Sequence, residues 1–303
     1  MKKLFLSLIG ACFALGANAQ FEWNIRAGEW QLDSMYTIDK ELGQRLYTDV
    51  YEYNADGTLA VLYTTSLDYD YFLELYVSER TKTVVTYDNG RMAKVESFWQ
   101  QGNDWVIMTR SEMSDYDANG NPGTIIYYEA DEDDAGQMLP SVKWEVTKWG
   151  AREPADYKLY QPDFGNWDLY STTVSELDGN GLVVKQTNTT HGVGAEYVST
   201  TTYEYDDHGF CVKETSTSDF GVSETTYVNI YDANGNIQTV TEFDDGKEDD
   251  TDYYFWSNGG KTAINGMKLK GADGQWFDLS GRRLNGQPTR KGLFIQNGKK
   301  VIR

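Results

Sequence analysis

The 303-residue chain holds two histidines, His191 and His208, which limits the chemistry open to it. A serine or cysteine nucleophile needs a base held in place by a third group. His191 lies in Asn188-Thr189-Thr190-His191-Gly192, a loop by composition, and His208 takes a turn position where related segments carry Asp or Asn. Neither has neighbours that suggest a triad. Two histidines without matching cysteines also fail to make a zinc site. Calcium needs a closer test, because Asp-rich loops are its usual home. Asp115-x-Asp117-x-Asn119-Gly120 reproduces the first half of a calcium loop, but its twelfth position is Ile126, where a bidentate Glu is needed. A turn is the better reading. Weak cation binding remains an expectation only for the carboxylate groups Asp131-Glu132-Asp133-Asp134 and Asp244-Asp245 with Glu248-Asp249-Asp250. No cofactor is expected.

Glycoside hydrolysis asks only for two suitably spaced carboxylates. The acidic residues are too many to single out a pair, so no catalytic residue is assigned and the chain is expected not to be an enzyme. Aromatic residues offer a different lead, with 22 tyrosines, 12 phenylalanines and 9 tryptophans. Trp99, Trp105, Trp144, Trp149 and Trp167 are candidates for stacking on a glycan. Cross-strand aromatic pairing within a sheet is the competing explanation.

Charge divides the chain. Residues 20–260 carry 15 Lys and Arg against 45 Asp and Glu, whereas 261–303 carry 10 against 2. So acidic a body is expected to repel nucleic acid and anionic membranes, because phosphate contacts need Lys and Arg. Both are therefore excluded as partners of the body in this reading.

The first residues point to export. Lys2 and Lys3 precede an apolar run from Leu4 to Leu15, and Ala17-Asn18-Ala19 closes it with a small-x-small pattern, so 1–19 reads as a removable signal peptide. A lipobox at Ile9-Gly10-Ala11-Cys12 is the alternative. Cleavage after Ala19 would leave Cys211 as the one cysteine, so the fold gains no internal disulfide. No other stretch approaches the ~20 apolar residues of a membrane helix, and no membrane span is expected on that ground.

The elements that carry these residues follow from an internal repeat. Tyr53-Asn54-Ala55-Asp56-Gly57, Tyr116-Asp117-Ala118-Asn119-Gly120, Leu177-Asp178-Gly179-Asn180-Gly181, Tyr205-Asp206-Asp207-His208-Gly209 and Tyr231-Asp232-Ala233-Asn234-Gly235 share one pattern. Tyr87-Asp88-Asn89-Gly90 is the same motif one residue shorter. Successive starts lie 34, 29, 61, 28 and 26 residues apart, and the gap of 61 implies a degenerate copy between Ala130 and Gly165. Runs such as Thr201-Thr202-Tyr203-Glu204-Tyr205 before the motif, and Asn236-Ile237-Gln238-Thr239-Val240-Thr241 after it, alternate at period two as half-buried strands do. The motif itself suits a hairpin loop, since Asx can bond its own backbone two residues on and the closing Gly can take a positive φ. Helix has little claim here. Lys40 to Arg45, the nearest candidate, is short and interrupted by Gly43.

From Tyr51 to about Thr251 the chain resembles the YD or Rhs-type repeats of bacterial secreted and surface proteins. The resemblance implies strand-turn-strand units in a long curling sheet. The expected fold is therefore all-β: an antiparallel meander of hairpin repeats forming a curved sheet over 20–260, with a small β-hairpin unit over 261–303. In that last unit, Leu293 to Gln296 and Lys299 to Ile302 flank Asn297-Gly298, a pair suited to a two-residue turn.

The basic end also resembles a type A C-terminal sorting domain of the type IX secretion system of Bacteroidota. Phe277-Asp278-Leu279-Ser280-Gly281-Arg282, Lys291-Gly292-Leu293-Phe294-Ile295 and Lys299-Lys300-Val301-Ile302-Arg303 carry the likeness in order. The residues that would form the signal are Asp278, Leu279, Gly281, Arg282, Gly292, Phe294, Lys299 and Lys300. The resemblance implies type IX machinery as a partner and an extracellular or outer-membrane surface destination. The functional expectation is a secreted or cell-surface protein acting through a binding surface, with a glycan or a surface protein as its ligand.

Overall fold

The computed structural model describes residues 26–27, 30–70, 75–131, 134, 136–192 and 194–258, together with short strands between 276 and 302. The expected signal peptide, including Cys12, lies outside the described residues.

In chain order the strands of the body are β1 (Arg26–Ala27), β2 (Trp30–Asp39), β3 (Arg45–Tyr53), β4 (Leu59–Asp70), β5 (Leu75–Asp88), β6 (Arg91–Gln101), β7 (Asp104–Ser114), β8 (Thr124–Ala130) and β9 (Met138–Trp149). They continue as β10 (Pro154–Asp163), β11 (Asn166–Leu177), β12 (Val183–Gly192), β13 (Ala195–Tyr205), β14 (Cys211–Ser218), β15 (Gly221–Tyr231), β16 (Ile237–Asp244) and β17 (Lys247–Asn258). A separate small sheet holds β18 (Trp276–Phe277), β19 (Arg283–Leu284), β20 (Leu293–Gln296) and β21 (Lys299–Ile302). There β20 and β21 pair antiparallel, with Gln296 opposite Lys299.

All-β is what the structure shows, but the open curved sheet is not. Each strand from β2 to β17 pairs antiparallel with its successor, and β17 then pairs antiparallel with β2, from Asn258 opposite Trp30 to Asp250 opposite Asp39. The ring is closed, a barrel of 16 strands. Closure removes the two long unpaired edges that an open meander would expose.

The expectation of no membrane span is corrected with it. Among the described residues no helix is long and apolar enough to cross a bilayer, but a closed barrel is the other architecture that can cross one. The outward residues are mixed. Val174, Val198, Val222, Val228, Ile230 and Phe255 are exposed apolar side chains, while Arg110 pairs with Glu96 at 2.9 Å and Lys185 with Glu176 at 2.8 Å on the same face.

The repeat motif takes its expected form. In all five full copies the Gly N–H donates to the carbonyl of the Asx three residues earlier, at 2.8 to 3.1 Å, and the Gly φ lies between 77° and 89°. In the Asp-started loops the Asp Oδ1 also accepts the backbone N–H two residues on, as in Asn119 to Asp117 at 2.8 Å and Asn234 to Asp232 at 2.8 Å. A register shift follows at Glu52/Tyr53, Glu176/Leu177, Glu204/Tyr205 and Ile230/Tyr231, the bulge that such a turn produces. The shorter copy instead uses Asn89 and Gly90 at φ 49° and 76°, a two-residue hairpin turn.

These loops follow β3, β5, β7, β11, β13 and β15. Alternate strands of an antiparallel meander run the same way, so all the motifs gather at one end of the barrel. The degenerate copy is the connection 150–153 after β9, with Trp149 in the place of the tyrosine.

Candidate functional site

Cross-strand partners share a face, so the registers sort every strand into an inner and an outer row. One row runs Val85, Val95, Ser111, Tyr127, Val142, and another Tyr157, Thr173, Asn188, Ser199, Ser218. Val85, Ser111, Tyr127 and Thr173 are all buried, so these rows face the interior.

At the motif end the interior is apolar. Leu32, Tyr51, Ile237, Val240 and Tyr254 form one buried cluster, and Met113, Ile125, Trp144 and Val146 another. A chain of hydrogen bonds ties the repeats together there. The aromatic residue ending one repeat donates to the backbone carbonyl two residues past the turn glycine of the preceding repeat: Tyr116 to Met92 at 2.6 Å, Trp149 to Pro122 at 3.0 Å, Tyr205 to Val183 at 2.7 Å and Trp256 to Ile237 at 2.6 Å. Tyr53 makes the equivalent bond to Leu32 at 2.7 Å, where the ring closes. Tyr231 instead reaches the carboxylate of Asp206. Arg152 adds a longer tie, donating to the Gly209 carbonyl at 2.9 Å from the connection two loops away.

Toward the other end the inner rows change character. Over β11 to β15 they carry Ser171, Thr173, Ser175, Asn188, Thr201 and Ser216, a wall of hydroxyl and amide groups. Over β16, β17, β2 and β3 they carry Glu242, Asp250, Asp252, Asp39 and Asp49. Along β3 exposure rises in the same direction, with Tyr51 buried, Asp49 part-exposed and Tyr47, nearest the mouth, exposed, whereas Ser171, Thr173 and Ser175 on β11 are all buried. At the mouth itself, Phe164 and Phe220 are exposed on two hairpin tips, and Phe220 stacks on Tyr197. The interior is thus a cup, with an apolar floor at the motif end and a polar, acidic upper half.

Burial sets the electrostatics of the acidic wall. It pushes Asp49 up to about 6. Burial, followed by Asp249 and its neighbours, pushes Glu242 up to about 7. Asp250 rises to about 6 through burial and then Asp249, Asp39 and Asp252. Asp252 is raised by burial although Thr37 donates to it at 2.6 Å. Asp49 Oδ1 and Asp250 Oδ1 are buried without a hydrogen-bond donor.

The five tryptophans do not form one platform. Trp99 faces the lumen in a row with Asp49, Thr64 and Thr81. Trp105 and Trp167 lie outside, under Lys82 and Lys143 at 4.9 and 5.7 Å. Trp144 is buried against Tyr157 with ring centroids 4.4 Å apart, and Trp149 holds the Pro122 carbonyl. For Trp144 and Trp149 the internal role accounts for the ring.

His191 is not in a loop. It sits on β12, facing outward, with Nε2 3.2 Å from Thr172 Oγ1 and Nδ1 3.2 Å from Glu196 Oε1. The hydroxyl-rich run around it pairs across strands at full register, so polar composition misled the reading. His208 is a turn residue whose ring stacks on Tyr231 at 3.9 Å. The half calcium loop is also a turn: Asp117 Oδ1 accepts from the N–H groups of Asn119 and Asn121, and Oδ2 from the Asn121 side chain. Among the described residues no cluster of His, Cys, Asp or Glu has metal-binding geometry. In the sorting-like end, Phe294, Lys299 and Lys300 lie on β20 and β21, while Asp278, Leu279, Gly281, Arg282 and Gly292 lie outside the described residues.

Sequence reasoning missed the acidic wall of the lumen. The alternation in Thr37-Ile38-Asp39, Tyr47-Thr48-Asp49 and Asp250-Thr251-Asp252 signalled it, but the inner side of each strand was unreadable without the closed ring.

No known family matches the chain, and no curated protein does. Several solved structures are similar to it, three of them as follows. A porin-like protein from Bacteroides uniformis is 13% identical with a TM-score of 0.48, over 75% of this chain and 98% of that one. A complex of TcdB2, TccC3 and Cdc42 is 12% identical with a TM-score of 0.24, over 82% of this chain and 15% of that one. The Photorhabdus luminescens Tc holotoxin pore is 11% identical with a TM-score of 0.25, over 88% of this chain and 19% of that one. The chain thus spans less than a fifth of the length of the two toxin chains. Likenesses of this degree leave the function to the chain's own residues.

Proposed function

We propose that this chain is an exported barrel of the cell surface or outer membrane that acts by binding, without catalysis, through the polar upper half of its lumen. The observation that carries this reading is the gradient inside the ring. Apolar side chains fill the motif end and hydrogen-bonded turns tie it together, whereas the other end is lined by rows of hydroxyl, amide and carboxyl groups. A cup so lined suits a ligand rich in hydrogen-bonding groups. The acidic wall turns away anions, so neutral or cationic ligands fit it. A polysaccharide segment is the specific ligand we favour over a surface protein, because the hydroxyl wall matches polyol chemistry and Trp99 supplies a ring on the lumen side. Export through type IX machinery, with the basic end as address, is part of the same proposal and rests on the three sequence elements described above.

The inner and outer rows supply the test. A glycan array probed with the mature chain should yield ligands whose binding is lost in Thr201→Leu or Ser216→Leu, which fill the lumen. Binding should persist in Thr200→Leu and Thr202→Leu, one residue away on the outer face. Binding that the outer substitutions abolish would refute the lumen site. Turnover of a bound glycan would refute the non-catalytic reading.

A further inference from the structure

The pairing of β17 with β2 is unlike every other pairing in the barrel. The rest join strands consecutive in the chain, whereas the seam joins strands more than 200 residues apart and has no turn to hold it. Its two faces also differ. Outside, Tyr36 stacks on Tyr253 with centroids 4.8 Å apart and on Phe255 at 5.6 Å, and Arg45 covers Tyr36 at 3.9 Å. Inside, Asp39 stands directly opposite Asp250, a like-charge cross-strand pair, with Asp252 one inward position further along β17.

The strands packed against the seam add charge of the same sign. Asp49 and, nearer the mouth, Asp68 face inward from β3 and β4, and Glu242 and Asp244 face inward from β16. The nearby basic groups offset this charge only in part: Lys40 pairs with Glu248 at 2.8 Å, Arg45 lies on the outer face, and Lys247 pairs with Glu41 while acting at longer range on Asp39 and Asp249. Relief within the cluster is partial. The Leu42 N–H donates to Asp39, the Thr37 and Tyr254 hydroxyls to Asp252 and the Thr64 hydroxyl to Asp49, but the buried oxygens Asp49 Oδ1 and Asp250 Oδ1 have no donor. A buried carboxylate oxygen without a donor costs stability that a bound proton removes.

We propose that the inner side of this seam is a proton-operated latch: with Asp250, Asp252 and the adjoining Asp49 and Glu242 protonated the barrel is shut along its whole length, and as these four ionise the mouth half of the seam parts. The outer aromatic stack keeps the strands in register so that opening is local and reversible. The latch stands on the closed ring and does not depend on what the lumen binds. The raised carboxyl groups give the sign. The folded chain holds protons that the unfolded chain has released, so the seam is tightest at about pH 4 and loses that contribution as pH rises to about 7.

Hydrogen exchange of the mature chain at pH 5.5 and pH 8, corrected for intrinsic rates, reads the latch directly. Amides of residues 35–39 and 250–254 should lose protection about tenfold or more on going to pH 8, relative to those of β12 and β13. In Asp250→Asn and Asp39→Asn that dependence should shrink, with the seam protected at both pH values. Equal protection of the wild-type seam at the two pH values would overturn the proposal. So would a full pH response in both variants. Should either variant fold poorly, Glu242→Gln, on the neighbouring strand, carries the same expectation with a smaller effect. A seam response unchanged in it would count against the latch.

Discussion

The Tyr205 hydroxyl donates to the Val183 carbonyl, 22 residues earlier in the chain, at 2.7 Å. The same bond recurs around the motif end with tryptophan or tyrosine as donor, so the aromatic residue that recurs at this place in the repeat serves as a rivet between hairpins. Tyr205→Phe keeps the ring and removes the donor to a part-buried carbonyl. It should lower stability by about 1 to 2 kcal/mol in urea unfolding. Tyr170→Phe, at an exposed site, should change it by less than about 0.5 kcal/mol.

Gly235 closes a repeat turn at φ 82°, and a Cβ there would meet nothing within 4 Å. Gly235→Ala therefore isolates the backbone term and should cost about 1 kcal/mol. Gly235→Asn should cost less, because Asn tolerates the left-handed region. Equal losses for the two, measured by thermal unfolding, would contradict the turn geometry.

Cys211 is buried, with Sγ donating to the Lys213 carbonyl at 3.3 Å, and burial pushes its thiol up to about 12. The folded chain should resist iodoacetamide at pH 8 and react fully in denaturant. Mass spectrometry of the alkylated protein distinguishes the two states. Rapid labelling of the native chain would place this thiol at the surface.

Asp206 has the opposite pH behaviour to the seam. Burial works to raise its pKa, but hydrogen bonds from Tyr231, Asn229 and the Phe210 and His208 N–H groups together hold it below the ordinary value. Its contribution to stability is present above about pH 4 and is lost as pH falls through the lowered folded-state value. Asp206→Asn should lower stability at neutral pH and flatten the decline of stability in acid, as read from urea midpoints between pH 2 and pH 5. An unchanged acid slope would mean that this carboxylate is not what acid attacks.

Removal of Lys261 to Arg303 tests the proposed address. The truncated chain should accumulate in the periplasm of a host that has the type IX system, and the same segment fused to an unrelated periplasmic protein should carry it outward. Normal surface delivery of the truncated chain would refute the role. Unfolding of the truncated barrel would instead assign the basic end to stability.

The sequence by itself determined the strands, the turns and their count per repeat, because those signals are local. A period-two run such as Thr226 to Tyr231 is half-buried wherever it stands, and Gly235 after Asp232 closes a turn through its own φ and its own hydrogen bonds. Trp149 in the place of a tyrosine concealed one repeat, since the donor function survived a change of residue. What only the tertiary structure decided was closure and the sense of each face. Whether a meander curls open or seals depends on strand number, tilt and stagger acting together, and the deciding contact, Asp250 opposite Asp39, joins residues more than 200 positions apart. The same closure put Asp49 and Trp99 in the lumen and Trp105 outside. Charged and apolar residues occupy both faces of this barrel, so alternation alone could not say which row points inward.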